Sequence, residues 1–177
     1  MTDSEGAIME RRARIFRERA LKLAAVPERE EPGEWLDVVE FLVGEDRYAL
    51  EFPFVKEVFP PEEITPLPCA PSFMAGVVNL RGKIVPVVDI KILFGTSAPL
   101  PSCPRVIILT DGERMLGLLA DEISGIRRVK RNELHPPLPN MAAYAAAYAA
   151  GVTGENLTVL DGGEILRDRG LIVDEEP

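Results

Sequence analysis

Apolar positions follow two different periods along this chain. Met9, Ala13, Phe16, Ala20 and Leu23 recur at spacings of four and three, which draws one stripe on a helix with Arg and Glu filling the other faces. Thr2-Asp3-Ser4-Glu5 fits a capping box ahead of that helix, Pro27 ends it, and Glu28-Arg29-Glu30-Glu31-Pro32-Gly33 reads as a charged linker. Residues 1–33 are thus expected to form a helical extension and linker. The stripe is narrow and alanine-rich, which suits either a surface helix on its own domain or an amphipathic helix that docks on a partner. From Trp35 the period shortens to that of β-strands. Leu36–Val43, a Gly44-Glu45-Asp46 turn and Arg47–Phe52 read as a hairpin, and Val55–Phe59 as a third strand closed by Pro60-Pro61. A loop with Pro66, Pro68 and Pro71 leads to an expected helical turn at Ser72–Ala75.

The segment 73–90, FMAGVVNLRGKIVPVVDI, is the most distinctive. Arg81-Gly82-Lys83 reads as a tight turn, because Gly82 tolerates positive φ and its flanks are β-formers. Ile84, Val85, Val87 and Val88 are β-branched, and Pro86 among them points to an edge strand or a bulge. An arginine at the tip of so apolar a hairpin marks either a structural corner or a surface for a partner.

Beyond the prolines at 99, 101 and 104 the pattern begins again. VIILTDGERMLGLLADEISGI (106–126) overlays VEFLVGEDRYALEFPFVKEV (39–58) with one inserted residue, which places Arg114 on Arg47 and Ile126 on Val58. Gly76-Val77 with Val88-Asp89 likewise matches Gly151-Val152 with Leu160-Asp161. Two sets of about five short strands imply an all-β fold of two tandem β-barrels, with the first over about 36–95, the second over about 104–161, and a C-terminal segment at 162–177. Between the last strand groups, the tract AAYAAAYAA favours a helix with Tyr144 and Tyr148 stacked at i, i+4, stopped at Gly151. Residues 163–170 allow a last helical turn before the acidic Asp174-Glu175-Glu176.

Composition narrows the chemistry. The 177 residues carry a formal net charge of −9, which argues against nucleic acid and anionic membranes as partners. No run approaches a membrane span, and the charged first residues do not suit a signal peptide, so a cytoplasmic protein is expected. Cys69 and Cys103 read as thiols without a task, and with one histidine, His135, they do not make a zinc site. No nucleophile–base set, phosphate loop or dinucleotide motif is present. Asp89, Asp121-Glu122 and Asp161 could be imagined as a metal-dependent hydrolase site, but each follows an apolar strand where a carboxylate commonly caps the next turn. No catalytic residue, metal or cofactor is assigned. A generic SH3-like peptide module would need an aromatic-lined groove, and aromatics make up only 6% of the chain. Apolar residues on the third strand of each repeat, Val55 and Val58 then Ile123 and Ile126, are spaced by three, so some of them should point outward.

GVVNLRGKIVPVVD at 76–89 resembles the signature of CheW-type chemotaxis coupling proteins, and LGLLADEISGI at 116–126 and AGVT at 150–153 are similar to that family's later segments. The resemblance runs over about residues 35–170. It implies two five-stranded SH3-like barrels around a shared hydrophobic interior, and a non-catalytic adaptor linking the cytoplasmic tip of a chemoreceptor to the regulatory domain of a CheA-type histidine kinase. It also implies a receptor-binding groove between the barrels, mapping to Val55, Glu57, Arg81, Ile123 and Ile126, with Glu57 and Arg81 as an ion pair on its flank. The helical extension and the alanine tract depart from a minimal member of the family.

Overall fold

The structure, a computed structural model, describes residues 35–96 and 103–171. The helical extension expected over 1–33 and the acidic residues 174–176 lie outside the described residues. The described residues form one compact unit. Its first half contains β1 (Trp35–Val43), β2 (Asp46–Glu51), a 3-10 turn at Phe52–Phe54, β3 (Val55–Phe59), β4 (Met74–Leu80), β5 (Lys83–Asp89) and α1 (Ile90–Leu93). The second contains β6 (Arg105–Thr110), β7 (Met115–Ala120), β8 (Glu122–Lys130), α2 (Ala143–Tyr148), β9 (Ala149–Val152), β10 (Leu157–Leu160) and α3 (Gly162–Arg167).

The apolar runs of these strands are continuous because the central strands are buried on both faces. In β6, Ile107 and Leu109 point into a large core while Val106 and Ile108 point into a smaller one. In β2, Tyr48 and Leu50 enter the large core and Ala49 a third cluster with Val38, Leu157 and Val159. The large core draws Phe41, Leu50 and Leu160 from one sheet and Val88, Leu109 and Leu118 from the other. It is the shared interior, flanked by one smaller core per sheet.

Ten strands in two fives agree with the sequence reading, but they are not assembled as two consecutive barrels. One sheet runs β8-β1-β2-β10-β9 and the other β3-β6-β7-β5-β4. Each sheet therefore takes strands from both halves, so neither contiguous range, 36–95 or 104–161, corresponds to a sheet. Nor does either sheet close as a barrel, because β8 and β9 remain edges of the first and β3 and β4 of the second. A loop takes the place of the closing strand on one edge of each. Thr65 bridges to Val77 on β4, and His135 bridges to Val152 on β9.

The duplication is plain in the details. The halves are stitched by two equivalent parallel ladders, β5 with β7 (Val88 opposite Leu118) and β10 with β2 (Leu160 opposite Leu50). Asp89 caps α1 by accepting from Lys91 N at 2.9 Å, and Asp161 caps α3 by accepting from Glu164 N at 3.1 Å. The capping reading of these carboxylates thus holds. Gly76 and Gly151 occupy matching places under the bridging loops. A Cβ at Gly76 would lie 2.3 Å from the Thr65 carbonyl oxygen, and one at Gly151 2.7 Å from Leu134 Cβ.

Three local expectations change. Gly151 does not stop the alanine helix, which ends at Tyr148; it lies within β9, where the close approach of Leu134 requires it. Pro86 sits in an interior strand and opposite no bulge of its own. It is tolerated because β7 pairs with β5 only from Val87 on, leaving the proline opposite Val77 of β4 alone. No helix forms at 72–75: Met74 N closes a turn on the Pro71 carbonyl, and Met74 already belongs to β4.

One polar contact ties the two sheets. Lys91, 3% exposed on α1, places its Nζ 2.7 Å from Asp121 Oδ1 at the β7–β8 junction. The other oxygen, Oδ2, accepts from Gly44 N in the β1–β2 turn at 2.7 Å. Removing one member strands a buried charge, so Asp121→Ala should cost about 3 kcal/mol of unfolding free energy, measured by chemical denaturation.

Candidate functional site at the β3 and β8 edges

β3 and β8 are equivalent strands, each an edge of a sheet built mostly from other elements, and each carries a bulge at the same place. Val55 opposes Leu109 and Glu57 opposes Ile108, so Lys56 is the extra residue. Ile123 opposes Phe41 and Gly125 opposes Glu40, so Ser124 is the extra residue of β8. The bulge explains the spacing of three on β3: Val55 and Val58 both reach the shared core, as does Ile123 on β8. Ile126 does not. It opposes Val39, on the same face of β1 as Phe41 and Val43, yet it is 66% exposed. Ile126 is thus an isoleucine on the inward-turned face that the core does not cover, and the sequence expectation that some of these four point outward is met by this one residue.

Glu57 lies on the other face of β3, because its partner Ile108 belongs to the core of its own sheet. The tip of the β4–β5 hairpin reaches over to it: Arg81 NH2 donates to Glu57 Oε2 at 2.9 Å. The two ends differ, with the Arg81 side chain 79% exposed and that of Glu57 23%. Glu57 Oε1 is enclosed and has no hydrogen-bond partner. Both residues of the tip have positive φ, 51° at Arg81 and 86° at Gly82, which is the type I′ pattern of two-residue hairpins. Asn79 Oδ1 holds the turn by accepting from Gly82 N at 2.8 Å. The sequence identified Gly82 as the permissive residue; that Arg81 shares the left-handed region follows only from the two-residue register, Leu80 opposite Lys83.

A carboxylate cluster holds β8 in place. Glu40 Oε1 accepts from Arg47 Nε at 2.8 Å and Arg47 NH2 at 2.6 Å, and Oε2 accepts from Arg127 NH1 at 3.3 Å. Arg127 NH2 also reaches Glu155 Oε2 at 3.0 Å, and Arg128 Nε reaches Asp37 Oδ1 at 3.1 Å. Burial favours protonation of Glu40, but hydrogen bonds from Arg47 and Arg127 outweigh it and hold the carboxyl below the ordinary glutamate range. These arginines went unassigned in the sequence, where the overlay of Arg47 on Arg114 was the only signal. The overlay did not extend to their use, since Arg114 NH1 donates instead to the Leu166 carbonyl at 3.1 Å.

The aspartates raised as a hydrolase site serve separate structural roles as caps and in the Lys91 pair, and His135 N bonds the Val152 carbonyl. Among the described residues no cluster of three or more His, Cys, Asp or Glu is arranged to hold a metal, and no helix is long and apolar enough to cross a membrane. Cys69 and Cys103 are exposed free thiols.

Residues 37–170 match the family model described as CheW-like domain. The chain belongs to this family. Relatives of the CheW-like protein include chemotaxis protein CheW of Rhizobium meliloti (strain 1021), 32% identical over 117 residues, covering 66% of this chain and 76% of that one. Protein FrzA of Myxococcus xanthus is 33% identical over 136 residues, covering 76% of this chain and 80% of that one. Among solved structures, the scaffolding protein TtCheW from Thermoanaerobacter tengcongensis superposes with a TM-score of 0.64 at 30% identity, covering 71% of this chain and 88% of that one. The CheW-like protein is thus a non-catalytic scaffold of chemotaxis-type signalling.

Two outcomes test the site's construction. Glu40 is more readily ionised in the folded chain than unfolded, so its contribution is present above the ordinary glutamate pKa and is lost as pH falls through the lowered value. Glu40→Gln should therefore flatten the loss of stability on acidification below about pH 4, followed by urea unfolding across pH. Arg81→Asn replaces a residue held in the left-handed region with one that tolerates it, at the loss of an exposed ion pair. Its stability should stay within about 1 kcal/mol of the parent, and a larger loss in thermal unfolding would make the arginine a structural element.

Proposed function

We propose that this CheW-like protein couples the cytoplasmic tip of a chemoreceptor to the regulatory domain of a CheA-type histidine kinase, working in the cytoplasm at receptor arrays. The groove at the β3 and β8 edges receives the receptor's helical hairpin. Val55 and Ile123 form its apolar floor, Ile126 its exposed anchor, and the Arg81–Glu57 pair orients the helix on its flank. The observation that carries this reading is Ile126, an isoleucine on the inward-turned face of an edge strand that no part of the described chain covers. An amphipathic helix presents apolar side chains at a spacing suited to such a groove. Arg81 supports it, since a left-handed backbone costs about 1–2 kcal/mol for a residue with a Cβ, and its guanidinium remains largely open to solvent. Contacts with the kinase fall on the exposed ends of the sheets.

Arg81→Glu sets two carboxylates beside each other at the flank, and Ile126→Ala removes the anchor. Each variant should fold as the parent does and weaken binding to a purified receptor signalling fragment by about tenfold, or 1.4 kcal/mol. Calorimetry on both, with circular dichroism as the folding control, decides it: parental affinity in both variants would remove the groove from the receptor interface.

A further inference from the structure

A second concavity lies away from the β3 and β8 edges, between β2, the residues following α1 and the segment leading into α2. It encloses about 410 Å³. Its apolar wall comes from Phe94, Met141 and Ala145. On its floor stand two residues from adjacent parallel strands, Tyr48 of β2 and Thr158 of β10, directly opposite each other in register. Tyr48 is 7% exposed and Thr158 8%, and neither hydroxyl has a hydrogen-bond partner among the described residues. Both reach solvent through the cleft, since neither is among the enclosed unpartnered atoms. Hydroxyls in so buried a position ordinarily find partners within the fold or in water, so a pair that opens side by side into one cleft offers two hydrogen-bonding groups to a bound molecule.

The rim supplies charge. Asp46 stands at the mouth with no ion-pair partner among the described residues, and its neighbour Arg47 is committed to Glu40 through two hydrogen bonds. The local field is therefore negative, within a chain of net charge −9. Asn140 and Asn156 add side-chain amides that accept and donate. An apolar wall, neutral groups of both hydrogen-bonding senses and one uncompensated carboxylate together fit a peptide segment. Its backbone amides satisfy the hydroxyls, an apolar side chain rests on Phe94 and Met141, and an adjacent basic side chain faces Asp46.

We propose that this cleft is a second recognition site, separate from the receptor groove, for a short partner segment in which an apolar residue adjoins Arg or Lys. The probes are the capped dipeptide amides N-acetyl-Leu-Arg, N-acetyl-Leu-Gln and N-acetyl-Leu-Glu, titrated at millimolar concentration into the isotope-labelled full chain by NMR. Leu-Arg should shift the amide resonances of Tyr48, Met141 and Thr158 and bind about three- to fivefold more tightly than Leu-Glu, the scale of one exposed ion pair. Asp46→Asn should abolish that preference, while Tyr48→Phe with Thr158→Val should weaken all three dipeptides. Because those hydroxyls have no partners in the fold, the double variant should melt no lower than the parent. The proposal is overturned if no dipeptide shifts these resonances, if Leu-Glu binds as well as Leu-Arg, or if the double variant binds like the parent.

Discussion

Burial of the same strands on both faces is the constraint from which the rest of this structure follows. β2, β5, β6, β7 and β10 each send alternate side chains into the shared interior and into a smaller core of their own sheet. A strand in that position has little face left for water, so polar residues fall mainly at strand ends, turns and edges, Thr158 of β10 being an exception where a cleft opens onto the sheet. Asp89 and Asp161 accordingly stand where β5 and β10 finish, and serve as helix caps. The receptor groove falls on edge strands and a hairpin tip for the same reason.

Symmetry then decides where the edges differ. β3 and β8 are copies that bulge at the same point, yet β3 carries Glu57 where β8 carries Gly125, and Val58 packs where Ile126 stands open. A duplicated scaffold has thus kept its cores alike while its edges diverged. The hairpin tips diverged as well. Arg81-Gly82 is a two-residue turn, whereas the turn between β9 and β10 is longer and is held by Thr153, whose carbonyl accepts from Asn156 N at 3.0 Å. One tip holds Arg81 against Glu57 of the neighbouring edge; the other holds Glu155 against Arg127, with the charges exchanged.

Much of this was legible in the sequence, where the signal was local. The strands, the repeat, the capping aspartates and the stacked Tyr144–Tyr148 pair, with ring centroids 6.4 Å apart, all depend on spacings within a few residues. What escaped depends on which strand lies beside which. The apolar, β-branched run shows that Val106–Leu109 is a strand; it does not show that its neighbour will be β3 from the other repeat. Hence the reading of two consecutive barrels, and hence too the placing of Pro86 at an edge strand or a bulge. The Glu57–Arg81 pair was reached through family resemblance, since nothing local to either residue indicates a partner 24 positions away. The Glu40 cluster was missed for the same reason, joining residues 87 positions apart.

The exchange of strands between halves also governs how the chain can reach this state. β1 and β2 have their flanking partners, β8 and β10, only near the other end of the sequence. A ribosome extending the chain therefore exposes two unsatisfied edges of the first hairpin until the last strands have emerged. Closure of that sheet is a late and highly non-local event, and such long-range pairing slows folding. The first repeat, for all its completeness as a sequence, supplies two strands of one sheet and three of the other, and the whole of neither.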